Sequence, residues 1–571
     1  MNIKKINSSF SVSDQLCAAD VHSLVASGFT TIICNRPDGE DKQPVFSEIQ
    51  GSASDHGITL HYLPVTQESL SVSDVRAFKD ICDNAPGPVL AYCRSGQRSM
   101  TLWSLARIAE GISVDDCVAT ATVAGFDFNE FKTKNALNIK LLTAPSPMQP
   151  GMSKGIDAGA HETSFQVVIV GAGASGVSVA SSLLARDKHL RIALIDPAQT
   201  HYYQPGFTMV GGGIFKSEQN KRSMATLIPQ GVTWIQAAAE RFEPDNNALV
   251  LSDGTRIHYK RLIVCPGIKL NWSAIEGLTE SLGKNGVTSN YRADLAPYTW
   301  ELVQNLKQGV AVFTQPPMPI KCAGAPQKAL YLSADHWLQQ HVLQDIQIKF
   351  FNAGAVLFGV KDYVPALQSY MDKYKAELNF MHRLVKVDGD KKTAWFEKTD
   401  ANGMTTHIKQ TFDMIHVCPP QSAPDFIRNS PLADAAGWVD VDPVTLQHKR
   451  YSNIWGLGDA TNTPNAKTAA AVRKQVPVVA ANIINDIKGL PQEYQYDGYG
   501  SCPLTVERGK IVLAEFAYGG KLAPSLPNWV LNGTHATSLA WHMKKSMLPP
   551  LYWHGMLKGH ELLVKPVRKI A

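Results

Sequence analysis

A stretch between Phe165 and Asp196 constrains the fold of this chain more than any other part of its sequence. It opens with a continuous apolar run, Val167–Val170, which is typical of a buried parallel strand. Three glycines then follow with the spacing G-x-G-x-x-G, and an amphipathic helical pattern comes after them. A second apolar run ends on Asp196, twenty residues after the third glycine. Strand, glycine turn, helix, strand and terminal acid in this register predict a dinucleotide-binding βαβ unit.

Each position of this unit has a chemical role. The first glycine makes the tight turn, the second lets the backbone approach a pyrophosphate, and the third allows close packing of the helix on the strand. The free N–H groups at the start of the helix point at the phosphates, and the terminal carboxylate can hold a ribose hydroxyl. We expect the cofactor-binding residues here to be Gly171, Gly173, Ala174, Ser175, Gly176 and Asp196.

The bulk properties exclude several classes of protein. A chain of 571 residues is too long for one core, so two to four domains are expected. The net charge of +5 is small for this length and does not indicate a nucleic-acid partner. The nine cysteines have irregular spacings, which favour neither a metal site nor a disulfide framework. The first residues lack the apolar core of a signal peptide, so we expect a location in the reducing cytosol.

Residues 1–143 read as a separate α/β domain. Its informative part is a buried strand ending at Tyr92, followed by a loop that runs from Cys93 to Arg98 and opens a helix. Backbone N–H groups, a helix N-terminus and a guanidinium would converge on this cysteine and favour its thiolate. We therefore predict that Cys93 is a nucleophile in an anion-binding loop, with Arg98 as part of that loop.

This segment resembles the phosphatase-like domains that are often fused to enzymes of sulfur metabolism. Tyrosine and dual-specificity phosphatases share the strand, loop and helix but have a longer loop, whereas four residues between Cys93 and Arg98 are the spacing of rhodanese-type sulfurtransferases. Tyr92 also stands where those phosphatases have a histidine. The resemblance therefore favours sulfur transfer, and phosphatase activity and an inactive structural domain remain the alternatives.

A linker at 144–164, rich in proline, glycine and small residues, leads into the second part of the chain. There, two further apolar strands end in glycine turns, one at Gly267 and one at Gly458-Asp459. One dinucleotide unit plus a distant Gly-x-Gly-Asp is the outline of flavoproteins with two dinucleotide-binding domains, which bind FAD. We expect an α/β fold of this Rossmann-like type over 165–532, with Gly267, Gly458 and Asp459 at the cofactor.

The second glycine fingerprint, which NAD(P)H-dependent flavoenzymes normally carry in mid-chain, is missing. After the strand that starts at Gly309, the sequence reads Gln-Pro-Pro-Met-Pro-Ile-Lys-Cys. Prolines cannot donate N–H groups to a pyrophosphate, and Cys322 lies where phosphates would need room. We infer that electrons enter through Cys322, held as thiolate or persulfide by Lys321, Lys328 and a helix start after Pro326.

Long motifs in residues 165–571 resemble those of sulfide:quinone oxidoreductases of the mitochondrial type. They are Tyr-Tyr-Gln-Pro at 202–205, Pro-Ile-Lys-Cys-Ala-Gly-Ala-Pro-Gln-Lys at 319–328, Ala-Asp-Ala-Ala-Gly-Trp-Val-Asp-Val-Asp at 433–442 and Lys-Thr-Ala-Ala-Ala-Val at 467–472. The resemblance implies FAD, sulfide as electron donor, ubiquinone or menaquinone as acceptor, and a thiol such as glutathione to take the sulfur. It also implies that Cys322 is one of two redox cysteines and that Lys467 stabilises reduced flavin.

The second redox cysteine of that family follows directly after the Gly-Asp pair, where this chain has Ala460. Cys418 and Cys265 both lie on strands that end near the presumed flavin, and either could replace it if its Cα comes within about 7 Å of that of Cys322. We expect Cys418 to be the partner. Alternatively, Cys322 works alone with an external thiol, or the chain oxidises a persulfide or another thiol.

The C-terminal segment, 533–571, mixes aromatic and aliphatic residues with lysines, which suits the headgroup region of an anionic membrane. We therefore expect a peripheral, monotopic protein on the cytoplasmic face, with no nucleic-acid partner, no metal and a possible homo-oligomeric state. Two rival functions remain. One is a redox sensor carrying a phosphatase-like module, and the other is an NADH:quinone reductase.

Overall fold

The computed structural model describes residues 1–40, 44, 46–66, 70, 72–83, 85–109, 112–136, 138–139, 163–400, 403–464 and 467–568. The chain divides into two compact units, Met1–Ala158 and Gly159–Ala571. Of the linker predicted at 144–164, all but the last two residues lie outside the described part of the chain, and those two belong to the first strand of the second unit.

The first unit is built on one five-stranded sheet. Its strands, in spatial order, are Ile3–Lys5, Phe10–Ser13, Val89–Tyr92, Thr31–Cys34 and Thr59–Tyr62. Its helices are Val21–Ala26, Phe46–Asp55, Val72–Asp83, Gln97–Ala109, Val114–Val123 and Phe131–Lys134. Neighbouring residues on the strands belong to different apolar clusters: Ile33 packs in one and Ile32 in the other. Because successive side chains alternate between faces, the sheet has a buried core on each side.

The second unit opens with a seven-stranded sheet formed around the strand that the glycine motif predicted. The strands are Val232–Ile235, Ile192–Ile195, Thr163–Val170, Arg256–Val264, Ala248–Leu251 and Ala239–Glu243 in this spatial order, with Ile454–Gly456 paired to Arg256–Val264. The helix Ala174–Arg186 follows the glycine turn and packs against the long helix Ala469–Ile487.

Four parallel strands of this sheet end in register. Val170 is opposite Ile195 on one side and Val264 on the other, and Val264 is in turn opposite Gly456. The carboxyl ends of parallel strands are where open α/β sheets bind their ligands. The register therefore brings the glycine turn at Gly171 and the turns after Val264 and Gly456 to one edge.

A second parallel sheet lies in the middle of the unit. Its strands, in spatial order, are Val287–Thr288, Met414–His416, Gly309–Gln315, Ile346–Asn352 and Glu377–Phe380. Helices Leu295–Asn305, Ala325–Gln339 and Val364–Lys373 belong to this part, and an antiparallel meander of His382–Asp388, Thr393–Thr399 and Thr405–Thr411 follows it. The two sheets, the first with a parallel core of five strands and two antiparallel strands and the second all parallel, confirm the fold with two dinucleotide-binding-type domains.

Smaller elements complete the unit. The remaining strands are Thr200–Tyr202 paired with Lys221–Ser223, Lys269–Leu270 with Gln421–Ser422, Tyr494–Gln495 with Val567–Arg568, and a three-stranded sheet of Gly500–Glu507, Lys510–Phe516 and Ala536–Thr537. The short helices are Phe207–Gly211, Leu278–Ser281, Asp425–Arg428, Ser538–His542 and Leu548–Pro550, with π-helical turns at Met543–Met547 and Leu551–Gly555.

More side chains of the C-terminal segment are buried within the second unit than we expected. Trp541 and Trp553 are buried, and the Tyr552 hydroxyl is 2.6 Å from Nε2 of His201. The expectation that the aromatic residues of 533–571 face a membrane is wrong for these three, because each fills a gap in the core. Exposed apolar side chains among the described residues of the segment are Leu539, Met547, Leu562, Leu563 and Val567.

Candidate functional site

The glycine turn has the shape that a pyrophosphate needs. Gly171 has a φ of +101°, and a β-carbon there would lie 2.7 Å from the carbonyl oxygen of Cys265. A β-carbon at Gly176 would overlap the carbonyl oxygen of Gly171, so this position keeps the helix close to the strand. At Gly173, by contrast, a β-carbon would meet no described atom within 4 Å. The middle glycine therefore borders open space at the start of a helix, as a phosphate site requires.

Asp196 reaches back to this turn. Its Oδ2 accepts a hydrogen bond of 2.6 Å from the N–H of Ala172, and its Oδ1 accepts one of 2.8 Å from Ala198. The carboxylate is thereby fixed at the end of its strand, beside the turn, where we predicted a ribose contact. Gly267 has a φ of +83°, and a β-carbon there would meet no described atom within 4 Å, so it leaves a further opening at the same edge.

Gly458 and Asp459 complete the edge from a distant part of the chain. Gly458 has a φ of +74° and packs against the Ser175 hydroxyl, so that a β-carbon there would overlap it. Its N–H donates to Oε1 of Gln475 over 2.8 Å, which fixes the loop to the long helix. The structure thus brings Ser175 and Gly458 together, and with them the two halves of the predicted cofactor site.

Lys467 is tied to this loop. Its Nζ donates to the carbonyl oxygens of Asp459 and Thr461 over 2.9 and 2.7 Å, and it lies 4.0 Å from the centre of the Trp438 ring. Burial lowers the pKa of this amine to about 8. Lys467 therefore holds the Asp459 loop in place, and its effect on a reduced cofactor remains a prediction.

Cys322 is connected to the same loop through the backbone. Its N–H donates to the carbonyl oxygen of Lys467 over 2.9 Å. Its own carbonyl accepts from Ala325, the first residue of the helix Ala325–Gln339, over 2.7 Å. Cys322 has a φ of +48°, a conformation that few residues other than glycine adopt and that is concentrated at functional sites. The cysteine therefore lies at a helix N-terminus beside the cofactor edge.

Two groups lower the pKa of Cys322. The Sγ of Cys502 is 3.8 Å from the Sγ of Cys322, and the Nζ of Lys328 donates to Cys322 over 3.0 Å. The hydrogen bond from Cys502 and the Lys328 ammonium keep the pKa of Cys322 well below its usual range, although burial opposes them. The same interaction raises the pKa of Cys502. Lys328 acts as the sequence predicted, whereas Lys321 donates instead to Oε1 of Gln204 over 2.7 Å.

Cys502 was not among the predicted site residues. It lies on the strand Gly500–Glu507, which packs against the helix that follows Cys322. Its neighbours Ser501 and Pro503 carry no motif, and 180 positions separate it from Cys322. The one available signal was its identity as a free cysteine in an apolar strand, which more often marks simple burial.

The two cysteines that the sequence offered as partners have other contacts. The Sγ of Cys418 accepts from Gln421 over 3.7 Å, and burial raises the pKa of this thiol to about 12. Tyr291 hydrogen-bonds to Cys418 and donates to the carbonyl of Cys322 over 3.4 Å, so its hydroxyl links the two residues without joining their sulfurs. Cys265 donates to the carbonyl oxygen of Gly171 over 3.6 Å, and burial raises its pKa. We expected Cys418 to be the partner of Cys322; the sulfur that contacts Cys322 belongs instead to Cys502.

The predicted loop of the first unit forms as expected between a strand and a helix. Cys93 follows the strand Val89–Tyr92 and is buried, and Gly96 makes the turn with a φ of +83°. Arg98 donates to Oε2 of Glu40 over 2.8 Å and to the carbonyl of Val65 over 3.1 Å. The hydrogen bond from Arg98 lowers the pKa of the Glu40 carboxyl. Part of the guanidinium charge is thus already neutralised by Glu40, for which we predicted no role from the sequence.

Comparisons with known proteins agree with both units. Residues 2–110 match the family "Beta-lactamase hydrolase-like protein, phosphatase-like domain", and residues 165–297 match "Pyridine nucleotide-disulphide oxidoreductase". The phosphatase-like fold predicted for the first unit is thereby confirmed. In the crystal structure of the sulfide:quinone oxidoreductase from Aquifex aeolicus, 96% of the chain aligns with 71% of this one, at a TM-score of 0.59 and 20% identity. At this identity the match shows the fold.

The sequence relatives are closer. The mitochondrial sulfide:quinone oxidoreductase of Dictyostelium discoideum is 44% identical over 398 residues, which are 69% of this chain and 86% of that protein. The mouse protein of the same name is 39% identical over 396 residues, which are 69% of this chain and 87% of that protein. Because the identity to this chain extends over most of the length of both relatives, it confirms the resemblance seen in the sequence motifs. The chain belongs to the sulfide:quinone oxidoreductase family.

Proposed function

We propose that this protein oxidises sulfide at Cys322, passes the electron pair through FAD to a quinone, and transfers the sulfur to a thiol. The observation that carries the proposal is the environment of Cys322. Its thiolate is stabilised by Lys328, and its backbone N–H is bound to the carbonyl oxygen of Lys467, whose side chain holds the Asp459 loop. In this position a thiolate can accept sulfur as a persulfide and remain within reach of a flavin.

Family membership implies a flavin cofactor, and the described residues fit the dinucleotide form, FAD. The diphosphate would lie at Gly173 and the helix start at Ala174, Asp196 would bind the adenosine ribose, and Asp459 would bind the ribityl chain. When bound, the flavin accepts two electrons from sulfur and returns them to a quinone. The protein supplies the position: Lys467 fixes the Asp459 loop, and the same lysine's carbonyl fixes Cys322.

Electron entry from a nicotinamide is not favoured by the second sheet. The helix Ala325–Gln339 follows the strand Gly309–Gln315, but Cys322, whose sulfur accepts from Lys328, lies three residues before its first residue. Dinucleotide binding would place a diphosphate at that helix N-terminus, where a second anion would be repelled. Sulfur chemistry uses the same helix end to stabilise its own anion.

The experiment is an anaerobic titration of the purified holoprotein with sulfide, followed by the visible absorbance of the flavin. We expect bleaching by sulfide in the wild type, recovery on addition of a short-chain quinone, and no bleaching with NADH. Cys322→Ser should retain its flavin but lose the response to sulfide. Bleaching by NADH, or a full response to sulfide in Cys322→Ser, would contradict the proposal.

For the first unit we propose transfer of sulfane sulfur by Cys93. The short loop between Cys93 and Arg98 supports this proposal, as does the Glu40 pair, which reduces the positive charge available to a phosphoryl group. Persulfide formed at Cys322 would reach Cys93 directly or through a carrier thiol such as glutathione. Cys93→Ser should slow the transfer of sulfane sulfur to cyanide while quinone reduction continues, and equal loss of both activities would argue against this division.

Contact with a membrane is part of the proposal because quinones dissolve in lipid. No helix in the described ranges has both the length and the hydropathy that a membrane crossing requires. Exposed Leu539, Met547 and Leu563 on the C-terminal segment would supply a peripheral contact. Sedimentation with anionic liposomes should fall when Met547 and Leu563 are both replaced by Ser, and unchanged binding would exclude this surface.

A further inference from the structure

We propose that Cys502 is the redox partner of Cys322, so that the two residues form a reversible sulfur bridge which sulfide opens. The inference rests on the proposed function and assigns to the pair the step that needs a second cysteine. Their sulfurs lie 3.8 Å apart in the folded chain, without a covalent bond between them. Ala460 carries no sulfur, and the sulfur in contact with Cys322 comes from another strand.

The two sulfurs are near each other but farther apart than in a bridge. A disulfide needs a sulfur separation of about 2.05 Å, and two sulfurs joined through a third atom lie roughly 3.3 Å apart. The observed 3.8 Å is longer than both spacings, so the two sulfurs are in contact but unbonded, and either link requires them to move closer. Both cysteines are attached to ordered elements, Cys502 to an antiparallel strand and Cys322 to the start of the helix packed on it.

Charge around the pair stabilises the opened form. Lys328, which is 4% exposed, donates a hydrogen bond to Cys322 and also interacts electrostatically with Cys502. A second buried amine, that of Lys544, donates to the carbonyl of Pro503 over 3.2 Å and to Oγ1 of Thr505 over 3.1 Å, just beyond Cys502 on the same strand. An anion released at either sulfur thus meets the ammonium of Lys328, which lowers the cost of breaking the bridge, and Lys544 supplies an N–H donor beside the strand of Cys502.

Exposure decides which sulfur is attacked. Cys322 is partly exposed, whereas Cys502 is 3% exposed. Hydrosulfide therefore attacks the Cys322 sulfur, the bond between the cysteines breaks, and Cys502 leaves as a thiolate beside Lys328. In atoms and charge, the disulfide plus HS⁻ gives a persulfide, Cys–S–SH, on Cys322 and one thiolate on Cys502.

The cycle closes in two balanced steps. An acceptor thiolate attacks the outer sulfur of the persulfide, so that the acceptor becomes a persulfide and Cys322 is released as a thiolate. The two thiolates then form their bond again and give up two electrons, which the flavin accepts and the quinone finally receives. The sum converts HS⁻ and a thiolate into a persulfide and one electron pair, and it consumes no further oxidant.

The test identifies the bridge by mass. The aerobically purified holoprotein is denatured in N-ethylmaleimide, which blocks free thiols, and its proteolytic peptides are analysed by mass spectrometry. We expect the peptides of Cys322 and Cys502 to be linked, directly or through one additional sulfur, and to separate on reduction. The link should disappear in Cys502→Ser and in Cys502→Ala, and it should persist in Cys418→Ser. The flavin content of each variant reports whether it has folded.

The outcomes distinguish failure of this inference from failure of the proposed function. A link that sulfide opens anaerobically, leaving a persulfide on the Cys322 peptide, supports the inference. Any of three results would overturn the inference and leave the proposed function standing. The first is N-ethylmaleimide attached to both cysteines of the oxidised wild type, and the second is a link from Cys322 to Cys418. The third is unchanged reduction of the flavin by sulfide in both Cys502 variants. A Cys322–Cys502 link that sulfide neither opens nor uses to reduce the flavin would instead overturn the proposed function.

Discussion

Gly324 lies so close to Cys502 that a β-carbon at position 324 would be 2.7 Å from the Cys502 sulfur. It would also be 2.5 Å from Cδ2 of Leu504, on the same strand. Position 324 therefore requires glycine for a steric reason. The loop that carries Cys322 approaches the strand that carries Cys502 so closely that a methyl group would not fit between them.

The first prediction follows from this contact. Gly324→Ala should push the strand away from the loop, reduce the yield of the linked Cys322–Cys502 peptide, and destabilise the protein by about 1–3 kcal/mol, as overpacking does. Gly359→Ala is the matched control, because a β-carbon there would meet no described atom within 4 Å. Peptide mapping and thermal unfolding measure the two effects, and wild-type values for both in Gly324→Ala would refute the steric argument.

The ionisation of Cys322 gives a second prediction. Its pKa lies well below the ordinary 9.0, so in the reduced protein the thiolate persists as the pH falls through that value. Alkylation of Cys322 by iodoacetamide should therefore stay nearly constant from about pH 9 to about pH 7, whereas a thiol of unperturbed pKa slows about tenfold per pH unit. In Lys328→Met, which keeps the hydrogen bond from Cys502, the rate should fall with pH more steeply than in the wild type. A wild-type rate that tracks N-acetylcysteine would contradict the assignment.

Lys544 gives a third prediction, on stability. Burial lowers the pKa of its amine from 10.5 to about 7, so between these values the unfolded chain binds a proton that the folded chain does not. The free energy of unfolding contributed by this residue therefore rises with pH across that window, by up to about 1.4 kcal/mol per unit. The Lys544→Met variant lacks this slope, so any stability advantage that it has over the wild type at about pH 7 should shrink by about pH 9.

Denaturant unfolding at the two pH values measures this change, and Lys545→Met, at the exposed neighbouring lysine, is the control. The control should differ from the wild type by the same amount at both pH values. An equal pH slope in wild type and Lys544→Met would show that the amine at position 544 remains protonated in the folded protein.

The glycine turn gives a fourth prediction, which separates folding from cofactor binding. Gly173→Ala places a methyl group in open space, so the apoprotein should unfold at the wild-type temperature while the variant retains less flavin. Gly176→Ala overlaps the carbonyl of Gly171, so it should lower both the unfolding temperature of the apoprotein and the flavin content. Flavin released by heat is measured by its absorbance, and full occupancy in Gly173→Ala would show that no phosphate lies at that position.

The amino-acid sequence by itself determined the local features of this protein. The strand, glycine turn and helix from Val167 to Gly176 were predictable because their spacing is imposed by neighbouring residues. Cys322 and Lys328 were predictable for the same reason, since six positions within one loop and helix start keep them in contact. The family could be identified because its motifs are continuous in the chain.

The tertiary structure decided which distant side chains meet. Cys502 contacts Cys322 only because the helix after Cys322 packs on the strand of Cys502. The residues around either cysteine form no sequence pattern from which this contact could be predicted. Lys544 and Tyr552 looked like parts of a membrane-facing segment, yet both are buried: Lys544 bonds to the strand of Cys502, and Tyr552 contacts His201. Local spacing fixes residues along one element, whereas contacts across 180 positions depend on the packing of all the elements between them.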